Sequence, residues 1–420
     1  MSQPVVSIIM TSYNKPDTVA AALRSVFEQT YSNWELWLMD DHSGEKVQAI
    51  LSRFLNDPRV HYRNSRVRNE VRYRKVRYAV LINQALRQAK GKYITYLTDD
   101  TIYVRDRLEK MVHFLESAAH EAAYAGQRVR IVDEQLRKQR EWVRRADHVL
   151  ADAAFRTDHC SVMHRADLLQ PVFSKYGSYW DENPAYWDCA DAIFWRRLNE
   201  WVPFYPVREI LETAYKTPRS FQRLNQWLTD ELIDGTVIRC AGQLMLIDRE
   251  VRRPLRERWQ RHYQIPSREA IDVPDPLLFR YREAAAIDDR ILPGYRLCRE
   301  RESGRFYYLE HHQKRALDLR ALNYYRFQHH ACIWLSRQQM AGIPDGPAVS
   351  GPWQAVFHPP GRRLFLASRK LWLTDDGVLR EIDRQVCLRY KLTDRPVPLK
   401  TEDFHRLPKG RPFLPSLLPV

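Results

Sequence analysis

Four short apolar runs in the first hundred residues alternate with amphipathic helical patterns, and this alternation constrains the fold most. Val5-Val6-Ser7-Ile8-Ile9-Met10 is rich in β-branched residues and ends near the break Tyr13-Asn14-Lys15-Pro16. Glu35–Met39 ends at Asp40-Asp41, Val60–Arg63 is brief, and Tyr93–Leu97 ends at Thr98-Asp99-Asp100. Runs of this length bounded by turn residues read as buried strands. Between them Val19, Leu23, Val26 and Phe27 share one helical face, with Asp17 as the expected cap. Val47, Ile50, Leu51, Phe54 and Leu55 mark a second helix, and Tyr78–Ala89 a third, which Gly91 is expected to close. The alternation predicts an α/β domain with a mostly parallel central sheet and helices on both faces.

Ligands in such sheets sit beyond the carboxyl ends of the strands, where Tyr13, Asp41 and Asp100 fall. Neither G-x-G-x-x-G nor the P-loop pattern is present. With 14 glycines in 420 residues, carboxylates stand where a dinucleotide fold puts glycines. Carboxylates repel a diphosphate unless a divalent cation lies between them. Asp99-Asp100 supplies hard oxygen ligands for Mg²⁺ or Mn²⁺, which would neutralise charge on a departing nucleotide.

Thr11-Ser12-Tyr13-Asn14-Lys15, Met39-Asp40-Asp41-His42-Ser43, Tyr78–Ala85, Tyr93–Asp100, Asp158–Arg165 and Gly177–Glu182 carry a recognisable resemblance. Over roughly residues 3–260 the chain resembles the inverting GT-A glycosyltransferases of family two, the spore-coat members in particular. The resemblance implies a UDP- or dTDP-sugar donor and a glycan or glycoprotein acceptor. Thr11 and Tyr13 would line the uridine pocket, Asp41 would accept from the uracil imide, and Arg72 would contact the nucleotide. Asp99 would meet the ribose, Asp100 the metal, and Asp191 would be the general base, with Asp158 its rival. Cys189-Ala190 precede Asp191 where the family has a glycine before the aspartate. It also implies the cytoplasm of the mother cell, or the spore coat and outer layer, as location.

The chemistry is consistent with these residue types. An inverting transfer is one in-line displacement, needing a base on the acceptor hydroxyl and an electrophile on the leaving phosphate. Asp191 opens an apparent helix, Ala190–Leu198, which places it at a rim; a helix-start carboxylate is also favoured by the dipole alone. Asp158-His159-Cys160 is expected to be a buried structural group rather than a metal or nucleophile cluster. Tyr179, Trp180, Tyr186 and Trp187 suit an acceptor sugar or the core equally.

The net charge is 67 − 52 = +15. It is spread along the chain without any nucleic-acid-binding signature, so nucleic acid is not an expected partner. Of the basic stretch Arg63–Arg77, one or two residues are expected on nucleotide phosphate and the rest in solvent. No apolar run approaches the ~20 residues of a membrane span, and the N-terminus lacks the regions of a signal peptide. The six cysteines are scattered, without a Cys-x-x-Cys pair, which reads as reduced thiols.

Domains are expected at 1–262 (the GT-A domain) and 290–420 (a β-rich or α+β module), with 263–289 as linker. After Cys240 the pattern reads as helical through Arg249 to Tyr263. Farther on, Phe306–Phe327 matches Lys370–Leu392, each unit reading as strand, turn, strand and short helix, introduced by Gly304 and Gly361. That suggests a duplicated module, which would place the protein on its acceptor or on spore-layer proteins. Leu373-Thr374-Asp375-Asp376 copies Leu97–Asp100 but runs into Gly377, a hairpin signal. His311-His312 and His329-His330 are expected as surface pairs. Two functions remain open at this point: a metal-dependent inverting glycosyltransferase, and a catalytically weak nucleotide-sugar-binding structural protein of the outer layer.

Overall fold

The structure is a computed structural model that describes residues 5–240, 242–328 and 332–415; His329-His330 lie outside them. The chain divides into two compact units, Met1–Arg223 and Leu224–Val420.

The first unit is built on one sheet. Strands β1 (Val6–Ser12), β2 (Trp34–Asp40), β3 (Val60–Asn64) and β4 (Tyr93–Thr98) form its parallel core in the order β3-β2-β1-β4. Helices α1 (Val19–Phe27), α2 (Glu45–Leu51) and α3 (Arg77–Leu86) connect them. Beyond β4 the sheet becomes mixed, through β5 (Thr101–Tyr103), β6 (Ala122–Val132), β7 (Lys138–Arg144), β8 (Val162–Arg165) and β9 (Tyr205–Lys216). Every residue of β1 is buried, as an apolar run covered on both faces requires. One core joins Ile9, Tyr96, Trp180, Phe194 and Trp195; the other joins Ile8, Leu36, Leu23 and Leu97. The first includes α6 (Ala190–Asn199); α4 (Arg107–Ser117) and α5 (Leu169–Tyr176) lie between it and β5 in sequence.

Two local expectations change. The cap of α1 is Thr18, not Asp17, and it makes no side-chain cap bond. Gly91 does not close α3, which ends at Leu86. It is small for another reason: a Cβ there would lie 2.4 Å from the backbone nitrogen of Ser7.

The second unit holds three copies of one module. The first is β10 (Val237–Cys240), β11 (Gln243–Asp248), β12 (Val251–Leu255) and β13 (Ile271–Asp272), with β14 (Arg282–Glu283) at its edge. The second is β15 (Arg296–Glu300), β16 (Phe306–Glu310), β17 (Gln313–Leu317) and β18 (Ile333–Leu335). The third is β19 (Leu364–Ala367), β20 (Lys370–Asp375), β21 (Val378–Glu381) and β22 (Val397–Pro398). In each, three strands meander antiparallel, a helix follows, and the last strand returns parallel to the first. An acid ends each second strand (Asp248, Glu310, Asp375) and pairs with an arginine five residues on (Arg253, Arg315, Arg380). A buried tyrosine follows at Tyr263, Tyr325 and Tyr390. The next residue is left-handed each time: Gln264, Arg326 and Lys391, with φ 51°, 55° and 54°.

The expected duplication is therefore a triplication. Within the stretch after Cys240 that reads as helical from sequence, β11 and β12 form a hairpin, and only Glu257–His262 is helix. Pro254 stands in β12 opposite Met245, where an α-helix would have been broken. The stretch expected as linker supplies β13 and β14 to the first module. Gly304 and Gly361 are not equivalent: Gly304 lies between first and second strands, Gly361 before a first strand. Asp375-Asp376-Gly377 is the expected hairpin turn.

Candidate active site

Parallel register brings the strand ends together. Ser12 pairs with Asp40 and Thr11 with Thr98, so the loops after β1, β2 and β4 leave the sheet side by side. Tyr13 donates its backbone N–H to Asp99 Oδ2 at 2.7 Å. Arg72 is buried, its guanidinium 4.2 Å over the Tyr13 ring. Its Nη1 donates to Asp41 Oδ2 at 2.5 Å, and Arg77 Nη2 donates to Asp41 Oδ1 at 2.7 Å. Thr11, Tyr13, Asp41, Arg72, Asp99 and Asp100 are thus one neighbourhood, with Arg77 as a member that the sequence left among surface arginines.

Lys15 is the second residue missed, although it stands in the same loop motif. Its Nζ lies 2.6 Å from Asp100 Oδ2 and 3.1 Å from Asp99 Oδ1. Burial disfavours its charge, but Asp100 and Asp99 outweigh burial and raise its pKa. Burial would also push Asp100 up; Lys15, Lys216 and a bond from Thr98 outweigh it and hold that carboxyl below its usual range. Asp99 goes the other way, raised by burial and by the charge of Asp100. The buried carboxylate pair offers hard oxygen donors of the kind that suit a small divalent cation, and here the Lys15 ammonium sits on both members.

A second group adjoins it. Thr98 Oγ1 donates to Asp100 Oδ1 at 2.8 Å and lies 3.5 Å from Cys160 Sγ. His159 Nδ1 lies 3.8 Å from Asp158 Oδ1 and 3.7 Å from Asp191 Oδ2. Both candidate bases therefore face one imidazole, which stacks on Tyr78. Burial opposes charge on His159, but Cys160, Asp191 and Asp158 raise its pKa well above the ordinary value. Cys160 itself is pushed up by burial and stays a thiol at neutral pH, so the two carboxylates hold the imidazolium. Burial would raise Asp158 too; His159, Lys216, a bond from the Cys160 N–H and Arg144 instead hold it far below its usual range.

Asp158, His159 and Cys160 each offer a ligand atom within 4.8 Å of the others, a group that could hold a metal ion. An imidazolium and a thiol are poor ligands until they lose their protons. Asp99 and Asp100 suit Mg²⁺ or Mn²⁺ better. Trp180 is fully buried against Phe194 and so belongs to the core; Tyr179, Tyr186 and Trp187 pack on that core half-buried.

Residues 7–170 match the family described as glycosyl transferase family 2. The chain is 40% identical over 416 residues to Protein CgeD of Bacillus subtilis (strain 168), covering 98% of this chain and 96% of that protein. This chain is a member of glycosyltransferase family 2. A shorter similarity, 36% over 115 residues, links this family-2 glycosyltransferase to the beta-1,3-glucosyltransferase WfgD of Escherichia coli, covering 27% of this chain and 42% of WfgD. Among solved structures, TarS 1–349 of S. aureus with UDP-GlcNAc aligns over 54% of this chain and 62% of that one, with 14% identity and a TM-score of 0.39. No described helix of the family-2 chain is long and apolar enough to cross a membrane.

Proposed function

We propose that the first unit transfers a sugar from a UDP- or dTDP-sugar to a glycan or glycoprotein acceptor, with inversion and with help from a divalent cation. The observation that carries this reading is the adjacency of two groups. The carboxylates Asp99 and Asp100 converge on one cation, and one step away, across Thr98 and Cys160, a carboxylate stands at the mouth of α6. The first suits a diphosphate leaving group, the second an acceptor hydroxyl.

Tyr13 and Arg72 supply a stacking face and a positive charge for the nucleotide base. Asp41 is already bonded to Arg72 and Arg77, so it acts on the base chiefly by fixing those guanidinia. Mg²⁺ or Mn²⁺ would be held by Asp100, with Asp99 beside it, and when bound supplies positive charge against the diphosphate. Lys15 must leave Asp100 for that and is then free to meet phosphate oxygen.

Asp191 is the base in this reading. Asp158 is engaged by Cys160 N–H and His159 and is depressed far below its usual range, which makes it a weak proton acceptor. Asp191 takes the acceptor proton, the acceptor oxygen bonds to the anomeric carbon, and the bond from that carbon to phosphate oxygen breaks. The electron pair leaves with the nucleoside diphosphate. The spore-layer setting, in the mother-cell cytoplasm or the coat, rests on the family resemblance.

Hydrolysis of UDP- and dTDP-sugars, screened in parallel, identifies the donor. Proton NMR of the early transfer product then tests inversion: an α-linked donor gives a β-glycoside, and an α product overturns the single-base mechanism.

A further inference from the structure

The three modules of the second unit meet at the tips of their second hairpins, and they do so unequally. Arg249 of the first tip donates through Nη2 to His311 Nδ1 of the second at 2.8 Å. His311 Nε2 lies 3.2 Å from Asp376 Oδ1 of the third. His311 is thus the joint between tips, not the surface residue expected from sequence. Those contacts close first against second and second against third. The first and third modules are bonded away from their tips, Lys391 donating to the Ala270 carbonyl and Arg362 to that of Asp234, but between the tips lies a cavity of about 520 Å³, whose walls include Arg249 and Glu250 from one and Asp375 and Arg380 from the other. That size falls within the range of small-ligand clefts, about 300–1,000 Å³.

The groups around the cavity are of two kinds. Asp375 and Arg380 are committed to each other at 2.7 Å. Asp234 accepts from Arg249 N–H and from Tyr295 O–H. The side chains of Glu231, Glu250 and Arg282 are exposed in the cavity wall and make no hydrogen bond or ion pair among the described residues. Arg280, exposed and with its guanidinium bonded only to the Asp230 carbonyl among the described residues, and Arg282 stand against the carboxylates Glu231 and Glu250, so these groups balance in charge and draw neither a polyanion nor a cation. They favour a ligand that both donates and accepts at closely spaced points without charge. Vicinal hydroxyls on a sugar ring do this, donating to a carboxylate and accepting from a planar guanidinium.

We propose that this open seam is a binding site for an uncharged saccharide, the acceptor glycan or a neighbouring stretch of it. The inference rests on the glycosyltransferase reading above for the identity of the glycan, but not for the binding itself. A second contact to the acceptor raises its effective concentration at the transferase without adding to the chemistry.

The full chain is tested by saturation-transfer NMR against neutral hexose, N-acetylhexosamine and hexuronate-bearing oligosaccharides at millimolar concentration. UDP binding is measured separately by calorimetry. A neutral oligosaccharide is expected to bind. Glu250→Gln and Arg282→Ala should each weaken it about tenfold, the worth of one charge-assisted hydrogen bond, with UDP affinity unchanged. Both residues are exposed and unbonded, so neither variant threatens folding. No saccharide signal, binding by either variant as tight as by the unmodified protein, binding of hexuronates alone, or displacement of the saccharide by UDP each overturns the proposal. Failure of UDP binding with intact saccharide binding would instead strike the donor-site reading.

Discussion

Asp191 faces His159, Oδ2 to Nδ1 at 3.7 Å, and the same nitrogen lies 3.8 Å from Asp158. The two carboxylates share one charge at nearly equal distance, and only Asp158 is also held by the Cys160 N–H and faced by Arg144. Asp191→Asn should lower transfer by ~10²–10⁴-fold, the usual worth of a general base, with UDP binding retained. Asp158→Asn should cost less and shift the pH profile, because His159 loses part of what keeps it charged. Steady-state rates from pH 5 to 9 for both variants decide; an inactive Asp158→Asn beside an active Asp191→Asn reverses the roles.

Asp100 shares Lys15 with Asp99. Asp100→Ala should abolish the metal-dependent part of UDP binding, since a small divalent ion has few substitutes for a lost carboxylate. Calorimetry with Mn²⁺ and with EDTA measures it. Equal UDP affinity in the two conditions for the unmodified protein would remove the metal from the mechanism.

Glu212 is fully buried on β9, 3.5 Å from Arg107, and accepts from Ser161 and Gln127. Burial pushes its pKa from 4.5 to about 7. A raised folded-state pKa means that folding favours the protonated form. Its stabilising effect is complete below pH 4.5 and is lost as pH rises through about 7. Thermal unfolding across that window should show the decline, and Glu212→Gln, which mimics the protonated form, should flatten it. A parallel slope in the variant would assign the decline elsewhere.

The three acid–arginine pairs differ in burial. Arg315 and Glu310 are 7% and 6% exposed, Arg380 and Asp375 19% and 22%. Removing one partner of a buried pair costs about 3–5 kcal/mol, and far less as water reaches it. Arg315→Ala should therefore destabilise the second unit more than Arg380→Ala, as read by urea midpoints. Equal midpoints would mean that the repeated pair is not a determinant of stability.

Gly91→Ala would press a methyl group onto the backbone of Ser7. A loss of about 1–3 kcal/mol is expected, as for other overpacked cores, with the melting temperature falling accordingly. An unchanged melting temperature would show that the loop before β4 can give way.

The strands that bear the site were legible because each is a buried run that ends in polar residues, and parallel pairing then fixes which ends meet. Lys15 and Arg77 were not, since nothing in a motif's spacing tells which basic side chain folds back onto a carboxylate and which enters water. His159 was visible as a residue but not as the partner of Asp191, thirty-two positions away, because only the packing of α6 brings them together. The first module of the second unit was hidden by composition. Arg252 is buried in β12 and donates to the Leu278 carbonyl, so a charged residue stands where alternation expects an apolar one. Pro254 was the available warning against a helix there.

Each module's last strand bonds to its own first strand, and among the described residues no strand ladder runs from one module into the next. A recombination event that adds or removes one whole module leaves the remaining sheets intact, so this half can change in increments of some sixty residues. The first unit has no such seams: its order β4-β8-β6-β9-β5 interleaves distant segments, and a cut between β5 and β9 unpairs strands on both sides. Variation in length among relatives should therefore concentrate in the second unit and arrive in whole-module steps.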